Sequence, residues 1–214
     1  MSDASVKMDA IYQVQRHFYD LTRKPYLLGR DILIHELAVP SSGTVLEIGC
    51  GTARNLLRIA RRYPSARCFG IDVSSAMLRT AAASIRRQGL GHRVRVEPAD
   101  AATFDPQRLF GVACFDRVVI SYALSMMPEW KAVLQKSPQL LAPKGSLHVV
   151  DFGDQAELPG WFRRGLFAWL ARFSVTPRLD LGEHLNMLAS AANRSCRFRK
   201  LYGGYAVVAE LHLQ

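Results

Sequence analysis

The stretch that most constrains this chain is Thr44-Val45-Leu46-Glu47-Ile48-Gly49-Cys50-Gly51-Thr52-Ala53. Its first six residues form a short, mainly apolar run between Pro40-Ser41-Ser42-Gly43 and the following glycines, the pattern of a buried strand. Gly49 and Gly51 permit a tight turn and close backbone approach to a ligand. A helix follows at once from Arg54 to Tyr63, with Leu56, Leu57, Ile59 and Ala60 apolar. Strand, glycine turn and helix together aim free backbone N–H groups at whatever the turn holds. A lone Gly-x-Gly also occurs in purely structural turns, so its meaning depends on what comes next.

What comes next repeats the unit. Strands are predicted at Arg67 to Asp72, Arg93 to Pro98, Phe115 to Ser121 and Gly145 to Phe152. Helices are predicted at Ser74 to Gln88, opened by serine caps, and at Trp130 to Leu141. Such alternation specifies an α/β fold with a mostly parallel, doubly wound sheet. The tail departs from it: Arg197 to Leu201 and Tyr205 to Leu213, joined by Tyr202-Gly203-Gly204, read as an antiparallel hairpin at the sheet edge. The length of 214 residues suits a single compact domain. We divide it into an N-terminal helical cap over 1–39 and a main domain over 40–214, within which 153–193 forms a lid.

Two acids beyond the loop narrow the ligand. Asp72 ends the second strand 21 residues after Gly51, where its carboxylate can accept both ribose hydroxyls of an adenosine. Asp100-Ala101, after the third strand, places an acid and a small residue at the adenine edge. Glu47, inside the loop motif, disfavours the obvious competitor, an NAD-dependent oxidoreductase. A nicotinamide cofactor would put its pyrophosphate there, and a carboxylate would repel it. A ligand carrying an ammonium and a sulfonium would be attracted.

With these residues the chain resembles the class I methyltransferase superfamily. The matching motifs are Glu47 to Ala53, Asp72, Asp100-Ala101, Phe115-Asp116 through Ser121, and Leu141-Ala142-Pro143-Lys144-Gly145. The resemblance implies a Rossmann-like fold with a seven-stranded, mostly parallel sheet. It also implies S-adenosylmethionine as cofactor and S-adenosylhomocysteine as product. Cofactor contacts are expected from Glu47, Gly49, Cys50, Gly51, Thr52, Asp72, Val73, Met77, Asp100, Ala101 and Ser121. Two departures stand out: Ala53 replaces the loop's third glycine, and Lys144 replaces a glycine in the turn before the fifth strand.

Three further segments resemble the bacterial betaine-lipid N-methyltransferases: Gln15 to Asp31, Ser121 to Pro128, and Val150-Asp151-Phe152-Gly153-Asp154-Gln155. That likeness implies three successive methylations of the amine of diacylglyceryl-homoserine, and a functional partner enzyme that supplies this lipid. On this reading Arg23 and Arg30 pair with a carboxylate, of the lipid or of the cofactor's methionine moiety. Tyr19 and Tyr26 face the methylated amine, and Tyr122 is the active-site tyrosine after the fourth strand. Phe18, Tyr19 and Tyr26 have an equally simple reading as packing residues of the cap.

The surface chemistry bears on the partner. With 28 basic and 18 acidic residues the net charge is +10, which suits anionic lipid or nucleic acid. No nucleic acid is expected, because no RNA-binding module is recognisable. Within Trp161 to Phe173, the residues Phe162, Leu166, Trp169, Leu170 and Phe173 fall on one helical arc, with Arg164 and Arg172 off it. That pattern fits either an interfacial helix or a lid whose apolar stripe packs on the sheet. The four cysteines lack zinc or redox spacing, no metal site is expected, and the N-terminus lacks a signal-peptide pattern. A cytoplasmic protein, peripheral on the inner leaflet, is the resulting expectation; oligomeric state is not encoded legibly. The competing readings are a methyltransferase acting on a quinone, another small molecule or RNA, and a non-catalytic cofactor-binding scaffold at the membrane.

Overall fold

The computed structural model describes residues 27–213. It contains one seven-stranded sheet: β1 (Thr44–Ile48), β2 (Arg67–Asp72), β3 (Val94–Pro98), β4 (Phe115–Ser121), β5 (Leu141–Phe152), β6 (Arg194–Leu201) and β7 (Ala206–Leu213). The strand order is β3-β2-β1-β4-β5-β7-β6. The first five strands run parallel, and β7 lies antiparallel between β5 and β6. Helices α1 (Arg30–Glu36), α2 (Arg54–Arg62), α3 (Ser75–Arg87), α4 (Pro106–Phe110), α5 (Trp130–Lys136), α6 (Gly160–Ala171) and α7 (Leu181–Ala191) complete it.

All five residues of β1 are buried, as a strand flanked by two parallel neighbours and covered on both faces requires. Each of Val45, Leu46 and Ile48 contributes about 1.5–3 kcal/mol of apolar burial. The side chains alternate between two cores. Val45, Val119, Val150 and Phe152 join α1, α2 and α3 on one face, whereas Leu46, Ile48, Val118 and Val149 join Trp130, Leu181 and Leu185 on the other. Strand order reverses between β1 and β4, and ligands on such sheets bind outside the carboxyl ends at that reversal.

The expected hairpin is present, with β6 at the edge and Tyr202, Gly203 and Gly204 all at positive φ in its turn. Two boundaries differ from the sequence reading. The helix after Trp130 ends at Lys136, where Pro138 admits only a 3-10 turn, and β5 starts at Leu141. β6 begins at Arg194, because Arg194 and Ser195 extend the ladder to Leu213 and His212. Helix α1 buries Leu33 and Ile34, and Arg117 clamps its end by donating to the carbonyls of Leu37 (2.7 Å) and Ala38 (2.6 Å).

Candidate active site

The loop after β1 is built by its backbone. The amides of Gly49 and Cys50 both donate to the Ile71 carbonyl at 2.9 Å, folding the chain back over the end of β2. Gly49 has φ +71, and a Cβ there would lie 2.6 Å from that of Ala123, so glycine is required by both conformation and space. Gly51 has φ +53 and faces open space, leaving the backbone bare to a ligand. Ala53 keeps the left-handed conformation of the glycine it replaces (φ +62) while fully buried, at a cost of about 1–2 kcal/mol. Thr52 is half-buried in the same turn, and the Cys50 thiol is buried and pushed up in pKa by desolvation.

Asp72 is locked in place. One carboxylate oxygen accepts from the Gly51 amide and the other from the Ser74 amide, each at 2.8 Å. Burial raises its pKa and these amides oppose the rise. Each oxygen keeps a lone pair for a further donor. Val73 is exposed beside it, while the Met77 amide caps on Ser74 Oγ at 3.3 Å and its side chain is buried. Asp100 is exposed and accepts from the Ala102 amide at 2.8 Å, with Ala101 buried next to it.

Glu47 is the unusual group. It is 2% exposed; one carboxylate oxygen accepts from Asn55 Nδ2 at 2.7 Å and the other, also buried, has no partner. Desolvation pushes its pKa up to about 8, against the opposing pull of Asn55 and the Arg30 guanidinium. A buried, half-satisfied carboxylate at a bare glycine turn wants a cation. Asn55 escaped the sequence reading. Its only signal is a polar residue on the otherwise apolar inner stripe of α2, eight positions after Glu47.

Arg30 lies in electrostatic reach of Glu47, Arg54 and Tyr122, with Nε donating to the Leu27 carbonyl at 3.2 Å. Burial lowers its pKa. Ser121 ends β4 with its hydroxyl buried and unpaired. Tyr122 requires a correction: it is 4% exposed, sits at φ +54, and its hydroxyl donates to the Leu28 carbonyl at 2.6 Å. That hydroxyl ties the segment before α1 to the sheet rather than standing free for chemistry, and burial raises its pKa. Tyr19, Arg23 and Tyr26 lie outside the described residues.

Two further buried polar groups are employed in the scaffold. His148 pairs with Ser146 Oγ at 2.8 Å, and burial lowers its pKa to about 3, so it is neutral. Asp151 accepts from the amides of Ser125 (3.1 Å) and Phe152 (2.8 Å), and burial pushes it up to about 6. A cleft of about 200 Å³ beside the end of β5 is lined by Asp154, Arg178 and Lys200 among others. Lys200 is paired with Asp154, and Arg178 is spent on the carbonyls of Leu124 and Met127.

Comparison with known proteins agrees with this geometry. A family described as a methyltransferase domain matches residues 45–145, which run from β1 into β5. The ubiquinone/menaquinone biosynthesis C-methyltransferase UbiE of Syntrophotalea carbinolica is 27% identical over 208 residues, covering 87% of this chain and 85% of that one. From β1 into β5 the chain is thus similar to methyltransferases. The trans-aconitate 2-methyltransferase of Variovorax paradoxus is 28% identical over 178 residues, covering 79% of this chain but only 65% of that relative. Among solved structures, a SAM-dependent methyltransferase from Aquifex aeolicus shares the fold with a TM-score of 0.63 at 15% identity, over 99% of this chain and 97% of that one.

The cofactor of this methyltransferase is S-adenosylmethionine, and the site fits it. The unpaired Glu47 oxygen suits its cationic end and would repel a pyrophosphate. The open face at Gly51 admits a ligand against the backbone, and Asp72 stands fixed at the end of β2.

Proposed function

We propose that this methyltransferase acts on the amine of diacylglyceryl-homoserine, methylating it in successive steps to the trimethylated betaine lipid. The observation that carries this reading is a line of aromatic rings leading from the end of β4 to the surface. Tyr122 packs on Phe152 (4.7 Å between ring centres), Phe152 on Tyr205 (6.1 Å), Tyr205 on Phe162 (6.4 Å), and Phe162 on Trp161 (5.9 Å). Trp161 is 70% exposed, and Arg163 and Arg164 on the same helix and Arg172 at its C-terminal cap are exposed as well. An apolar track ending in an exposed Trp among arginines suits a substrate drawn from an anionic lipid surface. The segments Ser121 to Pro128 and Val150 to Gln155, which resemble the betaine-lipid enzymes, meet at the inner end of that track: Val150 pairs with Ser121 and accepts from the Tyr122 amide at 2.8 Å.

Glu47, Gly51 and Asp72 hold the cofactor, with Val73, Met77, Asp100 and Ala101 at its adenosine end and Ser121 near its reactive end. When bound, S-adenosylmethionine supplies an electrophilic methyl group on a good leaving group. The protein then contributes alignment and exclusion of water more than acid–base chemistry. Burial beneath α6 lowers the pKa of the substrate ammonium and favours loss of the proton that precedes attack. Arg30, already near Glu47, is the carboxylate partner closest to the cofactor loop. Arg23 would add to it, and Tyr19 and Tyr26 would face the methylated amine. The cap over 1–39 and the lid over 153–193 act as parts of one domain, working at the inner leaflet beside the enzyme that makes the lipid.

The test is direct. Purified protein is incubated with labelled S-adenosylmethionine and diacylglyceryl-homoserine in mixed micelles. Mono-, di- and trimethylated lipid appearing in sequence supports the assignment. No labelled lipid, with label passing to a soluble quinol instead, refutes it.

A further inference from the structure

Among the described residues, several buried side-chain polar atoms lack a hydrogen-bond partner. Those of Glu47, Ser121 and Gln155 lie at or just beyond the carboxyl ends of β1, β4 and β5, which are neighbours in the sheet. Glu47 and Ser121 were expected to face the cofactor. Gln155 was not assigned any role, and it is the most expensive of the three.

Gln155 is 0% exposed, and both its carboxamide nitrogen and its carboxamide oxygen are buried and unpaired. Its backbone is also strained, at φ +57 in the left-handed region that a glutamine adopts only under constraint. The constraint is visible. Its amide donates to the Gly204 carbonyl at 2.9 Å, its carbonyl accepts from Leu158 at 3.2 Å, and the flanking Gly153 amide donates to Tyr205 at 3.0 Å. The loop after β5 is thus stitched to the β6–β7 turn, and Gln155 is held rigidly at its centre. Apolar side chains fill buried sites without such cost, so leucine would serve a packing role better. Strain and an unsatisfied polar group on one residue mark function rather than stability.

We propose that Gln155 binds the polar headgroup of the methyl acceptor. A carboxamide offers two donors and an acceptor in one plane. That set matches an amino-acid-like headgroup: the N–H donors take a carboxylate oxygen, and the carbonyl accepts from the ammonium before methylation. Each methylation removes one N–H from the substrate, so the carboxylate contact is the one retained through all turnovers. This inference rests on the lipid-amine reading for the identity of the headgroup.

The experiment uses Gln155→Leu and Gln155→Glu in the full chain, with three readouts: melting temperature, S-adenosylhomocysteine affinity by calorimetry, and steady-state kinetics on diacylglyceryl-homoserine in mixed micelles. Gln155→Leu is expected to melt about 2–4 °C higher than wild type, because an unsatisfied buried amide is removed. Its cofactor affinity should be unchanged and its KM for the lipid at least roughly tenfold higher. Gln155→Glu keeps the shape, loses the donors and repels a carboxylate, so its KM should rise as much without the gain in melting temperature. A Gln155→Leu protein that melts lower with unchanged KM overturns the proposal and makes Gln155 a packing residue. Should the leucine variant fail to fold, an unchanged KM in Gln155→Glu overturns it equally. Wild-type protein inactive on the lipid overturns the acceptor reading itself, a result distinct from an active wild type with indifferent variants.

Discussion

The two halves of the crevice are built on opposite plans. At the ends of β1 and β2, most polar groups are already held: Asp72 by two backbone amides, the loop by the Ile71 carbonyl, and one oxygen of Glu47 by the Asn55 side chain. At the ends of β4 and β5, the Ser121 hydroxyl and the Gln155 carboxamide are buried without partners, and α6 buries only Leu170. The first half is organised before any ligand arrives save for one oxygen of Glu47, whereas the second leaves a hydroxyl and a whole carboxamide unpaired. This difference is what one cofactor with many acceptors demands. The cofactor half serves a constant ligand and tolerates a short rigid motif; the acceptor half carries the specificity and the energetic cost that accompanies it.

The sharpest way to break this comparison is at Glu47. Glu47→Gln should weaken S-adenosylhomocysteine binding by about ten- to hundredfold in calorimetry, because a charged contact to the ligand ammonium becomes a neutral one. The same substitution has a pH signature. A carboxyl whose pKa rises from 4.5 in the unfolded chain to about 8 in the fold gives stability that is complete below 4.5 and lost as pH climbs through about 8. The ligand-free wild type should therefore lose melting temperature between about pH 4.5 and pH 8, and Glu47→Gln should lose much less. Parallel pH curves for the two proteins would remove Glu47 from the account.

Asp72→Ala should have the next largest effect. It strands the amides of Gly51 and Ser74, costing about 1–3 kcal/mol of stability, and it weakens cofactor binding roughly tenfold. Unchanged affinity would deny Asp72 its place at the ribose. Tyr122→Phe probes the boundary between the halves. Loss of the bond to Leu28 should lower the melting temperature by about 2–4 °C, while cofactor affinity stays at the wild-type value. A large fall in turnover without any loss of stability would restore the hydroxyl to the chemistry.

The cofactor half was legible in the sequence because its constraints are local. Glycines where φ must be positive, an acid at each of three strand ends, and a helix straight after the turn are all readable within short windows. Even there, the left-handed Ala53 and the Asn55 contact depend on packing between α2 and β1 and left no clear pattern. The acceptor half depends on distant pieces. Tyr122 is explained only by Leu28, 94 residues away, and Gln155 only by the turn at Gly204. The arc through Phe162, Leu166, Trp169, Leu170 and Phe173 was recognised as amphipathic, and the structure packs it against the core of β4, β5 and α1. Trp161 remains outside that packing. No helix among the described residues is long and apolar enough to cross a membrane.

The smallest effect is expected at that exposed end. Trp161→Ala should reduce association with vesicles containing anionic phospholipid by a few-fold in a sedimentation assay, since an interfacial aromatic is lost, and should leave cofactor affinity untouched. Equal binding of variant and wild type would confine α6 to covering the site.

The central claim, that the rigid cofactor half serves an acceptor half built for a lipid amine, is tested most directly by competition. Wild-type protein receives labelled S-adenosylmethionine together with equimolar diacylglyceryl-homoserine and a demethylated menaquinol in the same micelles, and the products are separated by chromatography. Label appearing in the homoserine lipid, passing through the mono- and dimethylated forms to the trimethylated one, is the expected result. Label appearing in the quinol alone would contradict the account.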